Sequence, residues 1–142
     1  MPAEVEWFDF KRSHLAPEKL GAYLSTLANE AALRREALGY LVFGVDDETH
    51  EVVGTSFDPY TAKAKGNQAL MPWLTAGLRP NPGVEPHVVE HPDGRVVVLA
   101  VGPAREQPVT FQGTAWARTG NSLVELNKQP EKARALWTRG SD

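Results

Sequence analysis

"HVVEHPDGRVVVLAVG", residues 87–102, sets two runs rich in β-branched residues on either side of Pro92-Asp93-Gly94. Valine is stiff at χ1 and favours extended backbone, while proline, aspartate and glycine each suit a tight turn. The stretch therefore predicts a β-hairpin and supplies two strands. Moving toward the N-terminus, "GYLVFGVDDETHEVVG" at 39–54 has a continuous apolar run, a polar turn at Asp46–His50 and a short second strand ending at Gly54. Its first strand is apolar on both faces, the pattern of a strand inside a sheet rather than at its edge.

Between these strands and the start of the chain, "SHLAPEKLGAYLSTLANEAALRRE" reads as a helix. Ser13 is a candidate cap, Pro17 suits a first turn, and Leu20, Tyr23, Leu24 and Leu27 recur at helical spacing, giving a stripe expected to pack on a sheet. Residues 61–78, with Leu70, Met71, Trp73, Leu74 and Leu78, predict a second helix interrupted near Pro72, and "RPNPGVEP" at 79–86 reads as loop. "TAWARTG" adds a strand, and "QPEKARALWTR", with Pro130 at its start, a closing helix. The order is βαββ and then αβββα, an α+β fold: a single compact unit with a mostly antiparallel sheet and helices packed on it.

The opening stretch "EVEWFDFKRS", residues 4–13, is strand-like but not simply amphipathic. Val5, Trp7, Asp9 and Lys11 share one face, and Glu4, Glu6, Phe8, Phe10 and Arg12 the other. Glu4, Glu6 and Asp9 lie on this strand, and Asp46 and Asp47 end another that could pair beside it. Carboxylates gathered at a sheet edge are what a hard divalent cation requires. The bland alternative is that Asp46-Asp47 is turn chemistry and that acids on a terminal edge strand keep it soluble.

At 142 residues the chain suits one domain that buries roughly two thirds of its unfolded surface. It contains no cysteine, which excludes disulfides, thiolate zinc sites and cysteine nucleophiles. No apolar run is long enough for a membrane helix and no signal-peptide pattern opens the chain, so a cytoplasmic protein without membrane partners is expected. There is no phosphate-cradling glycine loop with its lysine, so no nucleotide cofactor is expected. The net charge of -3 argues against a uniformly basic surface but permits a local basic patch. Lys11 and Arg12, Arg34 and Arg35, Lys63 and Lys65, and Arg118 beside Thr119-Gly120 would form a phosphate-binding surface if they converge.

In order, "EVEWFDFKRS", "GYLVFGVDDETHEVVG", "VVVLAVGPAREQPV" and "AWARTGNS" resemble the successive blocks of the Schlafen Alba-like domain, over about residues 4–126. The resemblance implies an α/β sandwich at 1–126 followed by a C-terminal helix and tail at 127–142. It implies a nucleic-acid-binding domain, of the kind found in transcriptional regulators or defence proteins, whose surface the Arg118-Thr119-Gly120 block helps to shape; with the basic residues above, the expected contacts to DNA or structured RNA are Lys11, Arg12, Arg34, Arg35 and Arg118. In relatives that cleave structured RNA, acidic residues matching Glu4, Asp9 and Asp46 serve a metal-dependent endoribonuclease. The resemblance thus makes these three the candidate catalytic and Mg²⁺ or Mn²⁺ ligands, with aspartate at position 9 where the family pattern has glutamate. Relative to that pattern the chain inserts "EAALRREAL" at 30–38, which is expected to bring Arg34 and Arg35 near those acids. A homodimer would complete a groove that related proteins build from two lobes, and a protein-interaction or dimerisation module is the remaining reading.

Overall fold

The structure, a computed structural model, describes residues 15–120 and 122–138, together with the backbone of 8–11. The predicted hairpin is formed by β4 (Val84–His91) and β5 (Gly94–Val101). His91 pairs with Gly94, so Pro92 and Asp93 alone make the turn, and His91 Nδ1 accepts the Asp93 N–H at 3.0 Å. β2 (Gly39–Phe43) lies antiparallel to β5, and β1 (Phe8–Lys11) runs parallel to β2. The resulting order, β1-β2-β5-β4, makes β2 an interior strand as its apolar run predicts. β4 is the outer strand, which is why it tolerates Pro86: the missing N–H costs no ladder bond on an open edge. Strand β4 thus begins inside the segment expected as loop.

The second strand expected after Asp46 is reduced to a single bridge, Val45 to Val52. Gly44 and Gly54 have φ values of 97° and 83°, and the Gly44 carbonyl accepts the N–H groups of both Val53 and Gly54. Left-handed backbone at both positions ends the ladder before it can extend.

A second sheet holds β3 (Leu78–Arg79), β6 (Thr110–Phe111), β7 (Thr114–Thr119) and β8 (Ser122–Glu125) in the order β3-β6-β7-β8. The expected α+β sandwich with mostly antiparallel strands is thus observed, its strands divided between two sheets. Helix α1 (Pro17–Leu33) touches strands of both, and residues 20–32 are all buried. A helix enclosed on every side cannot be read from one apolar stripe, which marks only the face with the largest side chains. Pro17 opens α1 as predicted, with Ala16 at the cap; Ser13 lies outside the described residues.

The shared core runs through Leu24 and Leu27 of α1, Leu41 and Phe43 of β2, Leu99 of β5 and Ala117 of β7. Helix α2 (Leu70–Gly77) is shorter than predicted, with Pro72 in its first turn, where a missing N–H is harmless. It carries Trp73, whose ring meets Phe111 edge-on at 5.4 Å. A Cβ on Gly21 would stand 2.3 Å from the Phe111 ring, so α1 needs a glycine at this crossing. The closing helix α3 (Pro130–Thr138) forms as expected and places fully buried Leu136 in the same core. Among the described residues, no helix is long and apolar enough to cross a membrane.

Candidate nucleic-acid interface

The polar residues of α1 explain how the second sheet is held. Strands β6 and β7 pair at Thr110–Ala115, and the next pair in that register would be Val109 and Trp116. Two side chains from α1 enter there instead. Asn29 Oδ1 accepts the Val109 N–H at 2.8 Å, and Asn29 Nδ2 donates to the carbonyls of Val109 and Trp116 at 3.1 and 2.9 Å. Ser25 Oγ donates to the Val109 carbonyl at 2.7 Å and accepts the Trp116 N–H at 3.1 Å. Backbone groups that would otherwise be buried without partners are satisfied by the helix, which locks α1 into the opening between two strands.

The residue after Asn29, Glu30, is fully buried. Its Oε2 accepts the Arg118 N–H at 3.3 Å and a hydrogen bond from Lys132 Nζ at 2.8 Å, and the same Nζ donates to the Arg118 carbonyl at 2.8 Å. Lys132 thereby ties α3 to both α1 and β7. Glu30 Oε1 has no hydrogen-bond partner. Arg118 is only 5% exposed, and its Nε donates to the Gly120 carbonyl at 2.9 Å, bracing the β7–β8 turn, which Gly120 enters with φ 61°. The helix then ends in a Schellman motif: Glu36 N–H donates to the Ala31 carbonyl and Arg35 N–H to the Ala32 carbonyl. Arg35 takes the left-handed position of that motif, at φ 58°, where glycine is usual. Arg34 and Arg35 are both exposed. Arg34, Arg35, Arg118 and Lys132 are thus brought around the last turn of α1, where the helix dipole also favours positive charge.

The opposite end of α1 holds a different group. Phe43 packs its ring 4.7 Å from Phe57, and Phe57 lines a hollow at the helix start with Leu15, Ala16, Pro17 and Lys63. Lys11 pairs with Phe43, and Lys65 bonds Glu18 at 3.0 Å, an ion pair that holds the Glu18 carboxyl below its ordinary value. Asp46 follows Phe43 by three residues, and its Oδ1 accepts the N–H groups of Glu48 and Thr49 at 2.8 and 2.9 Å. This is the turn-capping role expected of an aspartate in a tight turn.

The expected convergence of Arg34 and Arg35 with the carboxylates therefore does not extend to Asp46. β2 starts with Gly39 against Leu27 and runs back toward the helix start, where Phe43 packs on Phe57, so its far end lies away from Arg34 and Arg35. Asp9 pairs with Leu41, five residues before Asp46. Glu4 and Arg12 lie outside the described residues, as does the side chain of Asp9. Among the described residues, no three His, Asp or Glu side chains gather in a way that could hold a metal ion. Asp46 Oδ1 caps its own turn.

Sequence reasoning singled out Arg34, Arg35 and Arg118 as phosphate contacts, of which Arg118 is nearly buried and bonded to Gly120, and it passed over Ser25, Asn29, Glu30 and Lys132. Ser25 and Asn29 stand four apart, on one side of the helix, and that spacing was the available signal. Lys132, by contrast, lies 102 positions from Glu30, and no local pattern links them.

Residues 4–127 match the family model described as Schlafen, AlbA_2. The chain belongs to this family. No curated protein matches the chain. Among solved structures, the AlbA_2 chain is similar to the DIP2311 protein of Corynebacterium diphtheriae, at TM-score 0.54 and 21% identity, over 92% of this chain and 24% of that one. It spans about a quarter of that protein's length, and the likeness is one of fold. It also resembles the N-terminal domain of a RecG-related protein from Nitrosomonas europaea, at TM-score 0.49 and 21% identity, over 84% of this chain and 82% of that one.

Proposed function

We propose that this AlbA_2 domain binds nucleic acid through the basic end of α1, with Arg34 and Arg35 contacting phosphate and Arg118 holding the adjacent β7–β8 turn in shape. The carrying observation is Arg35, an exposed arginine in a left-handed position. A non-glycine residue there costs of order 1 kcal/mol, and a guanidinium beside a second arginine gives a reason for bearing that cost. Family membership supports the same reading. Phosphate contacts of this kind place the protein on a backbone without reading sequence, and their strength falls with salt through counterion release.

The test measures binding to duplex DNA, single strands and folded RNA across a range of salt concentrations. The double variant Arg34→Ala/Arg35→Ala should bind more weakly to every form and reduce the slope of log K against log salt by about two, roughly one per lost contact. An unchanged slope would sink the assignment.

A further inference from the structure

Beside α3, a hollow of about 420 Å³ lies between the helix and the second sheet, lined in part by Arg79, Gln107, Pro108, Glu125, Asn127 and Trp137. Its volume falls within the range of sites for small organic ligands. Trp137 is 59% exposed, whereas Trp73 and Trp116 are half-buried and pack against the core. An indole displayed this way leaves most of its face open to solvent. The helix that carries it is anchored, because the preceding residue, Leu136, is fully buried and Lys132 pins the same helix to Glu30 and Arg118.

The chemistry around the indole is that of a base-binding hollow. Trp137 offers a flat apolar surface, Gln107 and Asn127 carry amides that both donate and accept, and Glu125 can accept from an exocyclic amine. Arg79, exposed at the same hollow, provides a cation for a phosphate. Five residues of helix, ~7.5 Å, separate Trp137 from Lys132 at the basic end of α1. Five residues also turn the helix by about 500°, which sets Trp137 on another side of α3 from Lys132, so a strand whose phosphates lie on Arg34 and Arg35 would reach this hollow by continuing around α3. Stacking on an aromatic ring needs an unpaired base, since the bases of a duplex are already stacked on one another.

We infer that the hollow beside Trp137 takes an unpaired nucleobase, stacked on the indole, so that the domain prefers single-stranded or unpaired segments over continuous duplex. This rests on the nucleic-acid reading above and adds the kind of nucleic acid and the residue that selects it. The experiment compares labelled single strands of about ten nucleotides with a duplex of the same sequence, using the parent and the variants Trp137→Ala, Trp137→Phe and Arg79→Ala. Trp137→Ala should weaken single-strand binding about tenfold and leave duplex binding unchanged, while Trp137→Phe retains most of the affinity. Quenching of tryptophan emission by the single strand should be lost in Trp137→Phe, and Arg79→Ala should lower the salt slope by about one. Binding that survives Trp137→Ala unchanged, or that falls equally for duplex and single strand, overturns the inference while leaving the basic surface standing. A parent that binds no nucleic acid overturns both. A concentration-dependent mass that is lost in Trp137→Ala would mean that a second copy covers the hollow, and would also overturn it.

Discussion

The two sides of α1 are held by different physics. Toward the first sheet, Leu41, Phe43 and Leu99 form a dry contact with the helix. Toward the second, Ser25, Asn29 and Glu30 provide hydrogen bonds that complete the backbone of β6 and β7 and anchor Arg118 and Lys132. The apolar side is adaptable, since many side chains of similar volume can fill it. The polar side is not, because each buried donor or acceptor needs its own partner in its own place. The basic surface is built on the polar side, where position is controlled most strictly.

This contrast can be broken from either side. Leu41→Ala should cost about 4 kcal/mol in chemical denaturation, from lost transfer energy and an unfilled cavity, and Leu41→Met should restore most of it. Asn29→Ala should cost about 3 kcal/mol, because the Val109 N–H and the Trp116 carbonyl lose a partner, and no substitution of similar size should rescue it. Asn29→Asp keeps the acceptor for the Val109 N–H but loses both donated bonds and buries a charge facing two carbonyls, so it should not restore stability. If Asn29 tolerated replacement as readily as Leu41, the distinction between the two sides would fail.

Arg35→Gly separates folding from function at the end of the polar side. Glycine removes the strain of the left-handed position and should raise stability by about 1 kcal/mol, measured by thermal unfolding. The same variant should bind nucleic acid more weakly. A variant that gained stability at no cost in binding would show that Arg35 contacts nothing.

The smallest effect belongs to the Lys65–Glu18 pair at the opposite end, whose side chains are 64% and 52% exposed. Glu18 is held below its ordinary value of 4.5, chiefly by the hydrogen bond from Lys65. A carboxylate whose pKa is depressed by folding stabilises the folded state above its unfolded value and loses that contribution as the pH falls through the folded one. Lys65→Met should therefore lower the melting temperature slightly at neutral pH and not at all in strong acid. Exposure keeps the neutral shift small.

The elements were legible where local chemistry decides them. Pro92-Asp93 turns the β4–β5 hairpin, Pro17 and Pro130 open their helices, and the apolar run at 39–43 marks an interior strand, because turn geometry, fixed proline φ and two-sided burial act over a few residues. What sequence could not show was the division into two sheets. The stripe of α1 predicted one packing face, but Ser25 and Asn29 serve a second, and their partners Val109 and Trp116 lie 80 to 91 positions away.

The candidate site divides along the same line. The sequence by itself determined that Arg34, Arg35 and Arg118 are cations near a helix end and a glycine turn, and that Asp46 is a turn residue, because each is a property of a short segment. Only the tertiary structure decided that the first three share one end of α1 while Lys11 and Asp46 lie toward the other. Spatial convergence depends on which strands pair and in which direction, and the parallel pairing of β1 with β2, both running back along α1, sets the two groups apart.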